Sequence, residues 1–124
     1  MLQLTQLDLE GTWIPTRAEL AGATVPPPVL SGMRLTVEGR RYTVQAGGNR
    51  DAGVLRLDPA AYPWAMDIIG TDGPNRGKTI PAIFQNDGAE LKVCYDLEGI
   101  ARPEQFKTEP NTRLFLVTYR RQEA

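Results

Sequence analysis

Gly77-Lys78-Thr79 invites a nucleotide-binding reading in this 124-residue chain. It is the tail of a phosphate-binding loop, G-x-x-x-x-G-K-[ST]. In that loop backbone N–H groups cradle phosphate oxygens and the lysine reaches the outer phosphates. The motif needs a glycine five positions before Gly77. Asp72 stands there, and Gly73 comes one residue late. The motif also needs a helix to follow, so that its N-terminal amides meet the phosphate. Here Thr79 to Gln85 follows, a run with the composition of a strand. Lys78 therefore reads as a basic residue at strand entry on a long hairpin loop, and ATP or GTP binding is not expected.

Other reactive residue types are few. Histidine is absent, which removes histidine triads, histidine-ligated zinc and the usual general base. Cys94 is the only cysteine, so neither an internal disulfide nor a cysteine metal cluster can form. A lone cysteine in a strand reads as a small buried hydrophobe rather than a nucleophile. Hard-cation binding by carboxylates is the metal chemistry that remains. Asp67 and Asp96 match glycosidase acid pairs by type, but the sequence fixes no distance between them. No nucleophile–base pair is identifiable, so catalysis is not expected, and no cofactor is implied.

Asp67 has two readings. It is either a ligand-orienting carboxylate inside the protein or an ion-pair partner for Arg102, clamping a long loop to a sheet; the second is favoured. Tyr95, Trp64 and Phe106 are read either as pocket lining or as plain core.

The elements that must position these residues are strands. Trp64 to Ile69, Thr79 to Gln85 and Glu90 to Asp96 alternate with a period of two. In the last of these Leu91, Val93 and Tyr95 share one face, and Cys94 and Asp96 the other. Asn86-Asp87-Gly88 is a tight hairpin signal. Gly70 to Gly77 reads as a loop, and Pro81 as an edge position or a bulge. Upstream, an extended segment runs from Gly11 to about Leu20, with Pro15 at an edge or bend. Pro26-Pro27-Pro28 reads as a stiff connection that is neither helix nor ladder. Val25, Val29 and Leu30 are placed across one barrel mouth. Met33 to Glu38 and Arg41 to Ala46 form a hairpin about Gly39-Arg40, with Tyr42 and Val44 on one face. Gly47 to Asp51 reads as a turn and Gly53 to Asp58 as a strand. Leu97 to Asn111 is irregular, with Pro103 placed to begin one helical turn. Arg113 to Arg121 is the most β-prone run, and Leu2 to Leu9 reads as a short helix or turn.

These segments predict an all-β fold: about eight antiparallel strands in an up-and-down barrel, residues 1–124 forming a single domain. The composition is 41% hydrophobic and 23% charged, with a net charge of −1. Without a basic excess, nucleic acid is not an expected partner. No apolar run reaches the ~18 residues of a membrane-spanning helix. Met1 to Glu10 lacks the features of a secretory signal, so the chain as it stands reads as cytoplasmic.

Gly11-Thr12-Trp13 at the first strand, with Arg120 or Arg121 on the last, resembles the lipocalin pattern. That resemblance implies a tryptophan near the closed end of an eight-stranded barrel, with an arginine over its ring. The wider chain resembles a family of uncharacterised bacterial lipocalin-like domains first catalogued as a planctomycete conserved hypothetical domain. The matching segments are Asp8 to Trp13, Ala65 to Ile68, Gly73 to Thr79, Ala82 to Phe84, Leu91 to Cys94 and Arg102 to Phe106. Gln85 to Gly88 departs from the family's usual turn. The resemblance implies a lipocalin-like barrel and no particular reaction. The expected function is a non-catalytic binding or interaction module for an unknown small ligand. The alternative is an inhibitor, immunity or regulatory factor that meets a protein partner through its loop rim. The inward-facing residues are mostly Leu, Ile, Val and Phe, so the expected cavity is small or absent. Asp67, Lys78, Tyr95, Arg102 and Phe106 are the candidate ligand or loop-clamping residues; Trp13, Arg120 and Arg121 are the barrel-end residues.

Overall fold

The computed structural model describes residues 8–122. The expected turn or helix over residues 2–9 therefore lies mostly outside the described residues. Nine strands and one helical turn follow: β1 (Gly11–Leu20), β2 (Ala23–Thr24), α1 (Pro27–Leu30), β3 (Met33–Glu38), β4 (Arg41–Ala46), β5 (Asn49–Asp58), β6 (Trp64–Asp72), β7 (Thr79–Asn86), β8 (Glu90–Asp96) and β9 (Leu114–Arg121). Strands β3 to β9 pair antiparallel in chain order. β1 pairs with both β3 and β9, which closes an eight-stranded barrel; β2 adds a short hairpin arm to β1. Closure removes the unpaired edges that an open sheet would present.

Alternation sorts the side chains. Leu35, Val37, Tyr42, Leu55, Met66, Ile68, Phe84, Leu91 and Val93 belong to one interior cluster. Ala65, Ile83 and Cys94 have the opposite parity and are buried outside that cluster. Their cover is the segment between β8 and β9, which crosses the outer face of the barrel. Pro103 is buried there, Cys94 Sγ meets the Lys107 carbonyl at 3.6 Å, and Thr108 Oγ1 accepts the Gly22 N–H at 2.9 Å.

Several local expectations change. Pro27 and Pro28 open α1, where first-turn N–H groups have no intrahelical partner and proline is tolerated. β3 pairs with β1 only from Gly11 to Trp13, so the two strands part beyond that point. Helix α1 contacts β1 and delivers Leu30 to the core, while Val29 is exposed. β5 begins at Asn49, so only Gly47-Gly48 turns, and β6 continues to Asp72. Pro15 adjoins a bulge between Pro15 and Arg17. Pro81 is on an interior strand and not at a bulge, but its β8 side is a local edge. It faces Asp67 of β6, one residue before the β8 ladder begins at Ala82, where a missing N–H breaks no rung to β8. The segment after Pro103 is a series of bends, with no helical turn.

Two glycines are required by close approach. A Cβ on Gly53 would stand 2.0 Å from the Ile69 carbonyl oxygen and 2.9 Å from the Tyr42 ring. A Cβ on Gly70 would stand 2.0 Å from the Asn75 carbonyl oxygen. The first lets Tyr42 cross over β5; the second lets the β6–β7 loop fold back onto its strand.

Candidate functional site

The barrel is not filled by its own side chains. A cavity of about 130 Å³ runs through its interior, lined mainly by Leu, Met, Val and Ile. A void of this size is comparable to cavities that hold one benzene-sized molecule. The small-or-absent expectation is thus half right: the void is small, but it is there. Its half-buried lining residues, Met33, Val44, Asp51, Asn75, Tyr95, Leu97 and Phe115, gather toward one end of the barrel, where the mouth lies. The other end is closed under Trp13, which is fully buried.

Three of the four tyrosines line the cavity: Tyr42 from β4, Tyr95 from β8 and Tyr119 from β9. The Tyr95 and Tyr119 hydroxyls share one hydrogen bond of 2.8 Å. The Tyr95 ring also stacks on Phe115, with centroids 5.8 Å apart. Tyr42 is 3% exposed, and its buried hydroxyl has no hydrogen-bond partner among the described residues. Burial, with the Asp51 carboxylate as a smaller influence, pushes the Tyr42 phenol up to about 12. Burial pushes Tyr119 to about 12, against the hydrogen bond it shares with Tyr95. Tyr95 lies well above its ordinary value, chiefly through burial and then through Tyr119 and Tyr42. All three phenols are therefore protonated at neutral pH and able to donate.

The mouth is held by one polar pair. Asp51 accepts the Asn75 backbone N–H at 3.1 Å and its side-chain Nδ2 at 2.6 Å. This ties the β6–β7 loop to β5.

The structure separates the residues that the sequence singles out. Tyr95 lines the cavity. Asp67 does not, which corrects the ligand-orienting reading: its neighbours Met66 and Ile68 point in, and Asp67 points out. There it accepts Arg102 at 2.7 Å and Arg56 at 2.9 Å. Burial raises the Asp67 pKa, but the bonds and charges of Arg102 and Arg56 outweigh it and hold the carboxyl below its ordinary value. Arg102 also donates to the Met66 and Ala82 carbonyls, both at 3.0 Å. Arg102 and Asp67 are thus the loop clamp. Asp96 accepts backbone N–H groups from Glu98, Ile100 and Ala101, so it shapes the start of the same loop rather than pairing with Asp67. Phe106 borders an outer groove with Tyr62, Trp64 and Phe84, away from Tyr95. Lys78 is exposed on the β6–β7 loop and precedes a strand. Cys94 is buried, and burial raises its thiol pKa, which makes it a poor nucleophile.

Tyr42, Tyr119, Asp51 and Asn75 are the site residues that sequence reasoning misses. For the tyrosines a signal exists. Each sits on the apolar parity of its own strand, and joining those parities across strands collects Tyr42, Tyr95 and Tyr119 on the inward face. Asp51 lies on β5, in a stretch that the sequence reads as a turn, and Asn75 lies on the β6–β7 loop; neither carries such a signal.

No family model matches this chain, and no curated protein or solved structure matches it either. Among the described residues, no group of three or more Asp, Glu or Cys side chains converges as metal ligands. No described helix is long and apolar enough to cross a membrane.

Proposed function

We propose that this protein is a lipocalin-like binding module that takes one small, largely apolar molecule inside its barrel. The observation that carries the reading is the cavity of about 130 Å³ with its mouth between Met33, Asp51 and Leu97. Its lining is apolar apart from the phenols and the Asp51–Asn75 pair, the usual make-up of a ligand pocket: a greasy wall with a few oriented polar groups. The lipocalin-like part of the reading rests on Gly11-Thr12-Trp13 and the stacking of Arg121 on Trp13.

Isothermal titration calorimetry with toluene tests the reading. Saturable binding to the wild type is expected, with a negative heat-capacity change from apolar burial. Val44→Phe fills the mouth and should abolish it. Absence of saturable binding, or binding indifferent to Val44→Phe, removes the reading.

A further inference from the structure

We propose that the cavity selects uncharged, ring-sized molecules carrying one hydrogen-bond acceptor, such as a cyclic ketone or lactone, and that Tyr42 is the residue that reads the acceptor. The proposal rests on the interior-binding reading and makes it specific. A buried hydroxyl without a partner forfeits its hydrogen bond to water, so it binds an acceptor that arrives with an apolar body. Tyr42 is such a group: 3% exposed, with no hydrogen-bond partner among the described residues, and lining the cavity. Tyr95 and Tyr119 supply a second donor. Two hydroxyls joined by one hydrogen bond use one O–H hydrogen and leave the other uncommitted.

Charge sets the sign of the ligand. The lining contains no lysine or arginine, and its one carboxylate is Asp51. A carboxylate ligand would lose its water shell with no cation to meet it and with Asp51 nearby. A cation finds Asp51 already engaged by two N–H groups of Asn75. It also offers no lone pair to the phenols. A neutral carbonyl or ether oxygen satisfies the phenol donors without either cost. The volume allows about one six-membered ring with a small substituent.

The test compares four probes of similar size: cyclohexanone, methylcyclohexane, cyclopentanecarboxylate and cyclohexylammonium. Each is titrated into the wild type and Tyr42→Phe. Cyclohexanone is expected to bind the wild type more tightly than the other three. Tyr42→Phe is expected to weaken cyclohexanone by about tenfold, the worth of one hydrogen bond in a dry site, and to leave methylcyclohexane unchanged or tighter. Tyr42→Phe removes one buried oxygen and keeps the ring, so its fold is checked by circular dichroism before titration. Equal affinity for cyclohexanone and methylcyclohexane, or no effect of Tyr42→Phe, overturns the acceptor assignment and leaves interior binding standing. Preference for the carboxylate or the ammonium overturns it likewise. Failure of all four probes and of toluene removes both readings.

Discussion

The guanidinium carbon of Arg121 lies 4.2 Å from the centroid of the Trp13 ring. Trp13 and Arg121 face each other across the β1–β9 seam that closes the barrel. The indole Nε1 donates to the Leu9 carbonyl at 2.9 Å. Arg121 reaches the Glu10 carbonyl and also donates to the Asp8 and Gly88 carbonyls, both at 3.3 Å. One arginine thus holds the entry segment, the β7–β8 turn and the tryptophan together. Arg120, its neighbour, points outward and is exposed.

This arrangement makes the two arginines unequal. Trp13→Ala should cost ~3–5 kcal/mol, the range for emptying a packed aromatic site. Arg121 and Trp13 should couple by ~0.5–2 kcal/mol in a double-mutant cycle followed by urea titration. Arg120 and Trp13 should show no coupling. Coupling through Arg120 instead would contradict the seam as described.

The Asp67 clamp should appear as an acid-sensitive increment of stability. Its carboxyl is held below the ordinary value of 3.8 in the folded state. A depressed folded pKa means the stabilisation is present above the unfolded pKa and is lost as pH falls through the folded one. Asp67→Asn should therefore cost about 1–2 kcal/mol at pH 7, discounted for the exposure of both arginines. The gap between wild type and variant should close below about pH 4. A gap independent of pH would mean that the carboxylate charge contributes nothing.

Tyr42→Phe should make the free protein more stable by about 1–3 kcal/mol, because it removes a buried, unpaired hydroxyl. The same residue sets an alkaline trend. Its folded pKa is raised to about 12 from 10.0. The unfolded chain then loses that proton first, so stability should fall as pH rises from about 10 toward 12. Tyr42→Phe should flatten part of this fall in thermal melts run across that range. A destabilised Tyr42→Phe protein would show that the hydroxyl already has a partner.

Gly53→Ala should destabilise by ~1–3 kcal/mol or more, since the added Cβ meets backbone, which cannot step aside as a side chain can. The Tyr42 ring should be displaced with it, visible as altered aromatic signals in the near-ultraviolet circular dichroism spectrum. An unperturbed Gly53→Ala protein would argue against the close crossing of Tyr42 over β5.

The sequence carries the barrel well, because each strand announces itself by alternation and most are joined by short turns. Leu91, Val93 and Tyr95 fall on the inward face that their spacing predicts. The errors arise where tertiary contacts override local chemistry. Pro27 and Pro28 occupy a helical first turn that a proline run alone does not suggest. β6 runs past Gly70 because the absent side chain there makes room for Asn75. Phe106 leaves the Tyr95 pocket because the β8–β9 segment crosses the outside of the barrel, a path that no local pattern encodes; Trp64, at the start of β6, packs against the core beside Phe84 instead. The cavity itself is a difference between the space enclosed and the side-chain volume filling it, and that difference has no sequence signature. Asp67 with Arg102 is different: an acid on an apolar strand and an arginine on a following loop suffice to suggest the clamp.

Interior binding is tested most directly by the methyl groups of Met33 and Met66, which line the cavity. In methyl-labelled protein titrated with toluene, both resonances should shift saturably with one common dissociation constant, while the exposed Val29 methyls stay in place. Linear, non-saturating drift of all three residues, or no shift at Met33 and Met66, would contradict a ligand inside the barrel.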